Sequence, residues 1–238
     1  MLKDIVCVIL VGGKGSRLQL ILKNNLPKSL APVYREPFLH YQIKLLKKRG
    51  FRRFLLCTGI MASKIEKILQ DRPHLGVTIK YSKETRPLGT AGALKNAQAH
   101  LDKTFFVFNG DTYLDMDYMS LLKFHQKKDS KLTIVITKRK KGDYGALKID
   151  SDKRIVSFIE KKTLIGGYVN AGCYIMEPEI LIFIAKGRAV SLEKRVIPSY
   201  IKKGGKAYGY VIDKNFYDIG TVEGYSIFKN FIKREEMV

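Results

Sequence analysis

From residue 5 to residue 11 the chain reads IVCVILV, seven apolar residues without a break. A continuous β-branched run of that length predicts a strand buried on both faces. From 38 to 48 the apolar residues fall in two rows, Phe38, Tyr41, Leu45 and Leu39, Ile43, Leu46, which is helical spacing. A second strand is expected at 54–57 and a second helix over 62–69, with Ser63 and Lys64 near its start. The alternation at 77–81 predicts a strand, 92–101 reads as a helix, and 105–108 as another buried strand. Strand and helix thus alternate to about residue 128, the pattern of a parallel sheet with helices on both faces.

Beyond that point the texture changes. Strands are expected at 132–137, 145–149, 155–159 and 168–176, with few helices between them. A helix follows Glu177, another covers 191–202, a late strand 208–212, and a closing helix 221–233 that Thr221 is suited to cap. No Pro-, Gly- or Ser-rich linker, repeat or low-complexity tract divides the chain. The expectation is one α/β domain over 1–238 with a Rossmann-like, mostly parallel central sheet. Residues 1–128 would bind a ligand beyond the carboxyl ends of the strands, and 129–238 would add a β-rich wall or lid.

Composition narrows the partners. Forty-five per cent hydrophobic residues over 238 positions make a folded chain with a real core. No apolar run reaches the roughly 18 residues of a membrane span, and the start of the chain has no signal-peptide cleavage pattern. Cys7, Cys57 and Cys173 are odd in number and lie in apolar segments, which suits buried thiols in the cytoplasm. Lys plus Arg is 44 against 22 Asp plus Glu, a net charge of +22 that draws polyanions or phosphorylated substrates. The basic residues are dispersed and do not interleave with aromatics, so neither nucleic acid nor a membrane is the expected partner.

Three stretches carry candidate chemistry. Gly12, Gly13 and Gly15 leave the first strand's carboxyl end, where glycines let backbone N–H groups approach phosphate oxygens. The stretch GGKGSRL lacks the third glycine of a dinucleotide fingerprint and does not match the P-loop pattern. A tight strand–helix turn remains the alternative, but Arg17 and, further on, Lys28 supply two cations for a triphosphate. Asn109-Gly110-Asp111 follows the 105–108 strand and places a carboxylate suited to Mg²⁺ in the same crevice; the competing reading is a turn. Asp218, in FYDIGT, is a second carboxylate near a strand end, again with a capped turn as its alternative.

In order along the chain, LVGGKGSRL, LPKSLAPV, PLGTAGAL, FNGDT, FIEK, VNAGCYIM, SLEKRVIP and FYDIGT resemble the motifs of the sugar-1-phosphate nucleotidyltransferases. Among these, the resemblance is to the D-glycero-D-manno-heptose-1-phosphate guanylyltransferases, from about residue 4 to residue 230. It implies the nucleotide-diphospho-sugar transferase type of fold. The implied reaction is NTP plus sugar 1-phosphate giving NDP-sugar and pyrophosphate, with Mg²⁺ as cofactor. By resemblance, Val11, Gly12, Gly13, Gly15, Ser16, Gly89, Thr90 and Asn109 line the nucleotide. Arg17 and Lys28 stabilise the phosphates, and Asp111 and Asp218 hold the metal. Lys161 clamps the sugar's phosphate, Glu160 and Asn170 bond its hydroxyls, and Gly145 and Gly172 admit the ring. Glu84 offers a carboxylate to guanine's two N–H donor groups and favours GTP. Mannose- or glucose-1-phosphate transfer with GTP, dTTP, UTP or CTP is the alternative within the family. A non-catalytic sugar-nucleotide or polyanion-binding module is the alternative outside it. An oligomer is compatible with either.

Departures from the family pattern are Val11 in place of alanine, Ser16 in place of threonine, one additional residue between Arg17 and Lys28, and Arg195 where an acidic residue is common.

Overall fold

The computed structural model describes residues 1–13, 18, 22, 26–59, 61–70, 75–213 and 216–235, without the side chains of 139–145 and 159–166. The first strand, β1 (Val6–Leu10), lies near the middle of a seven-stranded sheet and is flanked by two parallel neighbours. The small hairpin β2 (Pro32–Val33) and β3 (Glu36–Pro37) leads into α1 (Phe38–Lys48), whose bounds match the expected 38–48. Gly50 ends that helix at φ +107°, and Phe51 N–H reaches back to Leu46 O at 3.1 Å, the positive-φ stop that favours glycine.

β4 (Arg53–Thr58), α2 (Ala62–Gln70) and β5 (Thr78–Lys83) follow as expected to within a residue or two. The next helix, α3 (Gly89–Asn96), begins three residues before the expected 92 and gives way to a 3-10 turn at Gln98–His100. After β6 (Phe105–Asn109) and the short β7 (Thr112–Tyr113) comes α4 (Tyr118–Lys127), a helix not expected from the sequence. Its start is fixed by Asp117, whose carboxylate accepts N–H bonds from Met119 at 2.9 Å and Ser120 at 3.1 Å.

The four strands expected after 128 are two long ones, β8 (Leu132–Ile149) and β9 (Ile155–Met176). Their antiparallel pairing is broken by bulges, and Ala146 pairs with both Ile159 and Val169, so the ribbon turns back on itself. The helix after Glu177 is a 3-10 turn, Pro178–Phe183, and the expected 191–202 helix splits into a π segment, Leu192–Val196, and α5 (Ile197–Lys202). β10 (Ala207–Ile212), the short β11 (Tyr217–Asp218) and α6 (Val222–Glu235) complete the chain.

The sheet order is β10-β8-β9-β6-β1-β4-β5, with only the β6–β9 and β8–β9 pairings antiparallel, so it is mostly parallel. Leu39, Ile43, Ile65, Leu121 and Leu122 of α1, α2 and α4 pack with Ile9 and Leu56 on one face. Ala91, Leu94, Ile197 and Tyr200 of α3 and α5 pack with Val8 and Leu55 on the other. Helices therefore cover both faces, and the open ends of β1, β4 and β6 are left for the site.

Candidate active site

The exit of β1 is tied to its two neighbours. Val11 N–H donates to Cys57 O at 3.0 Å, and Gly110 N–H donates to Leu10 O at 3.1 Å. Three chain segments are brought so close that side chains do not fit between them. A methyl on Gly12 would stand 3.1 Å from Gly59 N, and one on Gly110 would stand 2.5 Å from Leu10 O. Gly13 leaves just enough room for the stem of Lys28, whose Cε would be 3.6 Å from a methyl there. Lys28 opens the 3-10 turn Lys28–Leu30, and its ammonium is ion-paired with the buried carboxylate of Asp111. The residues Gly15, Ser16 and Arg17 lie outside the described residues.

The second carboxylate arrives from the far end of the chain. β11 pairs antiparallel with β7, setting Asp218 opposite Thr112, and Ile219 N–H donates to Asp111 O at 3.0 Å. Gly220 N–H holds Asp218 Oδ1 at 2.7 Å. A methyl on Gly220 would meet Asp218 Oδ1 at 2.8 Å and Asp111 Oδ2 at 3.1 Å, so both carboxylates border one small gap. Asp111 and Asp218, separated by more than a hundred residues in the chain, thus converge. Behind them the buried Gln42 of α1 donates through Nε2 to Asn109 O at 2.9 Å and Thr112 O at 2.8 Å. It pins both ends of the turn that carries Asp111.

β9 closes the crevice. Gly172 has φ +71°, and a methyl there would stand 2.6 Å from Thr112 Oγ1 and 3.1 Å from Asn109 Nδ2. Asn170 Oδ1 accepts Gly172 N–H at 3.0 Å, and Asn170 Nδ2 donates to Tyr174 OH at 2.5 Å. The hydroxyl of Tyr174 donates in turn to Glu193 Oε1 at 3.3 Å. Burial, followed by the nearby Glu193 carboxylate, pushes the Tyr174 phenol far above its ordinary range, so it stays a neutral donor.

Glu193 also accepts from Thr90 Oγ1 at 2.8 Å and Ser191 Oγ at 3.1 Å, while Thr90 Oγ1 accepts Leu192 N–H at 2.8 Å. Gly89, at φ +70°, lies so close to Val190 O that a methyl would be 2.7 Å away. The first turn of α3 is therefore fastened to the π segment and to Val190 just before it, and the Thr90 hydroxyl is already engaged by protein groups. Glu84 Oε2 accepts Leu88 N–H at 3.0 Å, and burial raises its pKa above the ordinary range. Glu160 and Lys161 are in β9 and Gly145 is in β8, but their side-chain environment lies outside the described residues.

Gln42, Gly59, Glu193 and Gly220 were not singled out beforehand. Gly220 and Glu193 stand inside FYDIGT and SLEKRVIP, so a motif signal existed for both. Gly59 directly follows an apolar strand, the same local signal that Gly12 and Gly110 carry, whereas Gln42 sits on a helix face among apolar residues and gives none. Thr221 caps α6 as expected, accepting Gly224 N–H at 3.0 Å.

A family model described as nucleotidyl transferase matches residues 6–235. The D-glycero-alpha-D-manno-heptose 1-phosphate guanylyltransferase of Campylobacter jejuni is 35% identical over 92% of this chain and 96% of its own. The mannose-1-phosphate guanylyltransferase of Mycobacterium tuberculosis is also 35% identical over 92% of this chain, which spans 62% of that longer protein. The crystal structure of HddC from Yersinia pseudotuberculosis complexed with GMP-PN superposes with a TM-score of 0.85 at 30% identity, covering 96% of this chain and 99% of the other.

Proposed function

This chain belongs to the nucleotidyl transferase family, and we propose that it transfers guanylyl from GTP to the 1-phosphate of a D-glycero-D-manno-heptose. The products are GDP-heptose and pyrophosphate. The observation that carries the catalytic part is the convergence of Asp111 and Asp218 on the Gly220 gap, with Lys28 on Asp111. The preference for heptose over mannose rests on the similarity to a relative of matching length. The mannose-1-phosphate reading stays as the second, favoured by a relative of equal identity.

In the reaction a phosphate oxygen of the sugar 1-phosphate forms a bond to the α-phosphorus of GTP. The bond from that phosphorus to the bridging oxygen breaks on the opposite side, and pyrophosphate takes the electron pair. Positioning and charge neutralisation supply most of the catalysis in such a transfer. On this reading backbone N–H groups of Gly12 and Gly13 bind the triphosphate, and the family resemblance assigns Gly15, Ser16 and Arg17, outside the described residues, to the same role. The ammonium of Lys28 lies between the loop and Asp111, and neutralises phosphate charge as it grows.

The donor set fits Mg²⁺: two hard carboxylates border one gap, and this ion is commonly held by one or two carboxylates with waters and substrate phosphates. Asp111 and Asp218 would hold it. When bound, Mg²⁺ supplies Lewis-acid charge stabilisation to the phosphate oxygens.

Glu84, with Oε2 used by Leu88, keeps Oε1 for guanine's N–H donors, and Val11, Gly89, Thr90 and Asn109 wall the nucleotide. Asn170 retains a second amide N–H for a sugar hydroxyl. Glu160, Lys161, Gly145 and Gly172 complete the sugar side. Residues 1–128 serve as the nucleotide half and 129–238 as the sugar half of one domain. Three buried, free cysteines suit a reducing cytoplasm, and among the described residues no helix is long and apolar enough to cross a membrane.

The test is pyrophosphate release from GTP, dTTP, UTP and CTP, each paired with heptose, mannose and glucose 1-phosphates in the presence of Mg²⁺. GTP with the heptose phosphate should give the highest kcat/KM. A different leading pair would overturn the substrate reading, and no release from any pair would overturn the enzyme reading.

A further inference from the structure

The sheet has a second charged opening at the end away from the candidate active site. Val6, Arg53 and Thr78 begin β1, β4 and β5 and pair on one rung of the parallel ladder. Lys80 lies two residues along β5, so its side chain is on the same face as that of Thr78. That face is the one α3 covers, and the turn after α3 brings His100 and Asp102 over the rung. Together these groups line a cavity of about 220 Å³. A five-residue strand spans roughly 16 Å, so the cavity and the crevice at the carboxyl ends are separate places.

We propose that this cavity is a second, non-catalytic binding site for a phosphate group. Among the described residues that line it, Arg53 and Lys80 carry two full positive charges against the carboxylate of Asp102, and His100 adds a ring nitrogen. One guanidinium N–H of Arg53 donates to Asp4 O at 2.8 Å, which orients the group and leaves further N–H donors for an anion. Among the described residues no ion pair neutralises Lys80. A volume of about 220 Å³ accommodates a phosphate group. The proposal is independent of the substrate reading above.

The test is a titration of the ¹⁵N-labelled protein followed by amide NMR, with chloride holding ionic strength constant. One arm uses inorganic phosphate and the other glycerol 3-phosphate; the tighter binder identifies the source of the group. At least one arm should give saturable shifts at Thr78, Lys80 and His100. Arg53→Gln should weaken this binding at least fivefold, and Arg53→Gln with Lys80→Gln should remove saturation there. Any phosphate binding at Gly12 and Gly13 should persist in the double variant. Asp102→Asn should tighten the cavity about threefold, because the opposing charge is gone. These side chains are exposed, so the variants should melt close to the parent. Linear shifts in both arms, saturation surviving in the double variant, or weaker binding in Asp102→Asn would each overturn the proposal.

Discussion

The two walls of the crevice are built on different principles. The wall made by β1, β4 and β6 is backbone against backbone: Gly12 against Gly59, Gly110 against Leu10, with Gly220 between two carboxylates. The wall made by β9 and the π segment is a relay of side chains, from Asn170 through Tyr174 and Glu193 to Thr90. On the first wall a single added carbon meets main-chain atoms or carboxylate oxygens, and main chain moves only if its strand moves. On the second, apart from the close approach of Gly89 to Val190 O, each group of the relay has a hydrogen-bond partner that can readjust. The first wall should therefore fail abruptly when altered, and the second by degrees.

The sharpest test of that contrast is Asp111→Asn, which removes one of the two converging charges and the partner of Lys28 while keeping the shape. We expect kcat to fall about 10³-fold, the scale of a lost transition-state electrostatic contact, with the melting temperature nearly unchanged. Gly220→Ala should come next. Gly220 does not have positive φ, so alanine is conformationally acceptable, yet its methyl would push against Asp218 and Asp111. A displacement of the carboxylates by even part of an ångström should lower kcat about 10²-fold. Activity within threefold of the parent would mean that the two carboxylates do not act together.

How much of this was readable beforehand differs between the walls in the same way. The glycine wall announced itself locally, because Gly12, Gly13 and Gly110 follow apolar strands directly, where the backbone has to turn between packed neighbours. α1 was readable to the residue from its two apolar rows. α4 also had its signal, with Asp117 as cap and Tyr118, Leu121 and Leu122 at helical spacing, but the FNGDT stretch before it is turn chemistry and masks the helix start. The relay was not readable, since Thr90, Tyr174 and Glu193 are far apart in the chain and only the fold makes them neighbours. The breaks expected within β8 and β9 were charged and glycine-containing stretches, which normally mark loops. Here they continue as paired ribbon, because bulges absorb the irregularity without ending the ladder.

The graded behaviour of the second wall is tested by Glu193→Gln. Replacing one carboxylate oxygen with an amide sets donor against donor at Tyr174 or at Thr90 and Ser191. A part-buried mismatch of this kind costs on the order of 1 kcal/mol. The relay should loosen rather than collapse, raising KM for the sugar 1-phosphate several-fold and lowering kcat by less. Steady-state kinetics with each substrate varied in turn distinguishes this from a loss confined to kcat, which would put Glu193 in the chemistry itself.

The smallest effect is expected from a polar cluster outside both walls, and it checks that the contrast is local. Glu177 Oε1 accepts from Thr104 Oγ1 at 2.7 Å and lies 3.0 Å from His125 Nε2, while His125 Nδ1 is 2.7 Å from Thr133 Oγ1. The hydrogen bond with His125, aided by Thr104, holds the Glu177 carboxyl below its ordinary pKa despite partial burial. A carboxyl with a depressed folded pKa stabilises the fold above its unfolded pKa. That contribution disappears as pH falls through the folded value. Glu177→Gln should therefore cost on the order of 1 kcal/mol at pH 7, and chemical denaturation at stepwise lower pH should show the gap to the parent closing. Turnover at pH 7 should stay within twofold. A gap that does not change with pH would remove the ionic account of this cluster. A large fall in turnover would show that the β6–β9 seam transmits strain to the carboxylates, and the two walls could then no longer be treated as separate mechanical parts.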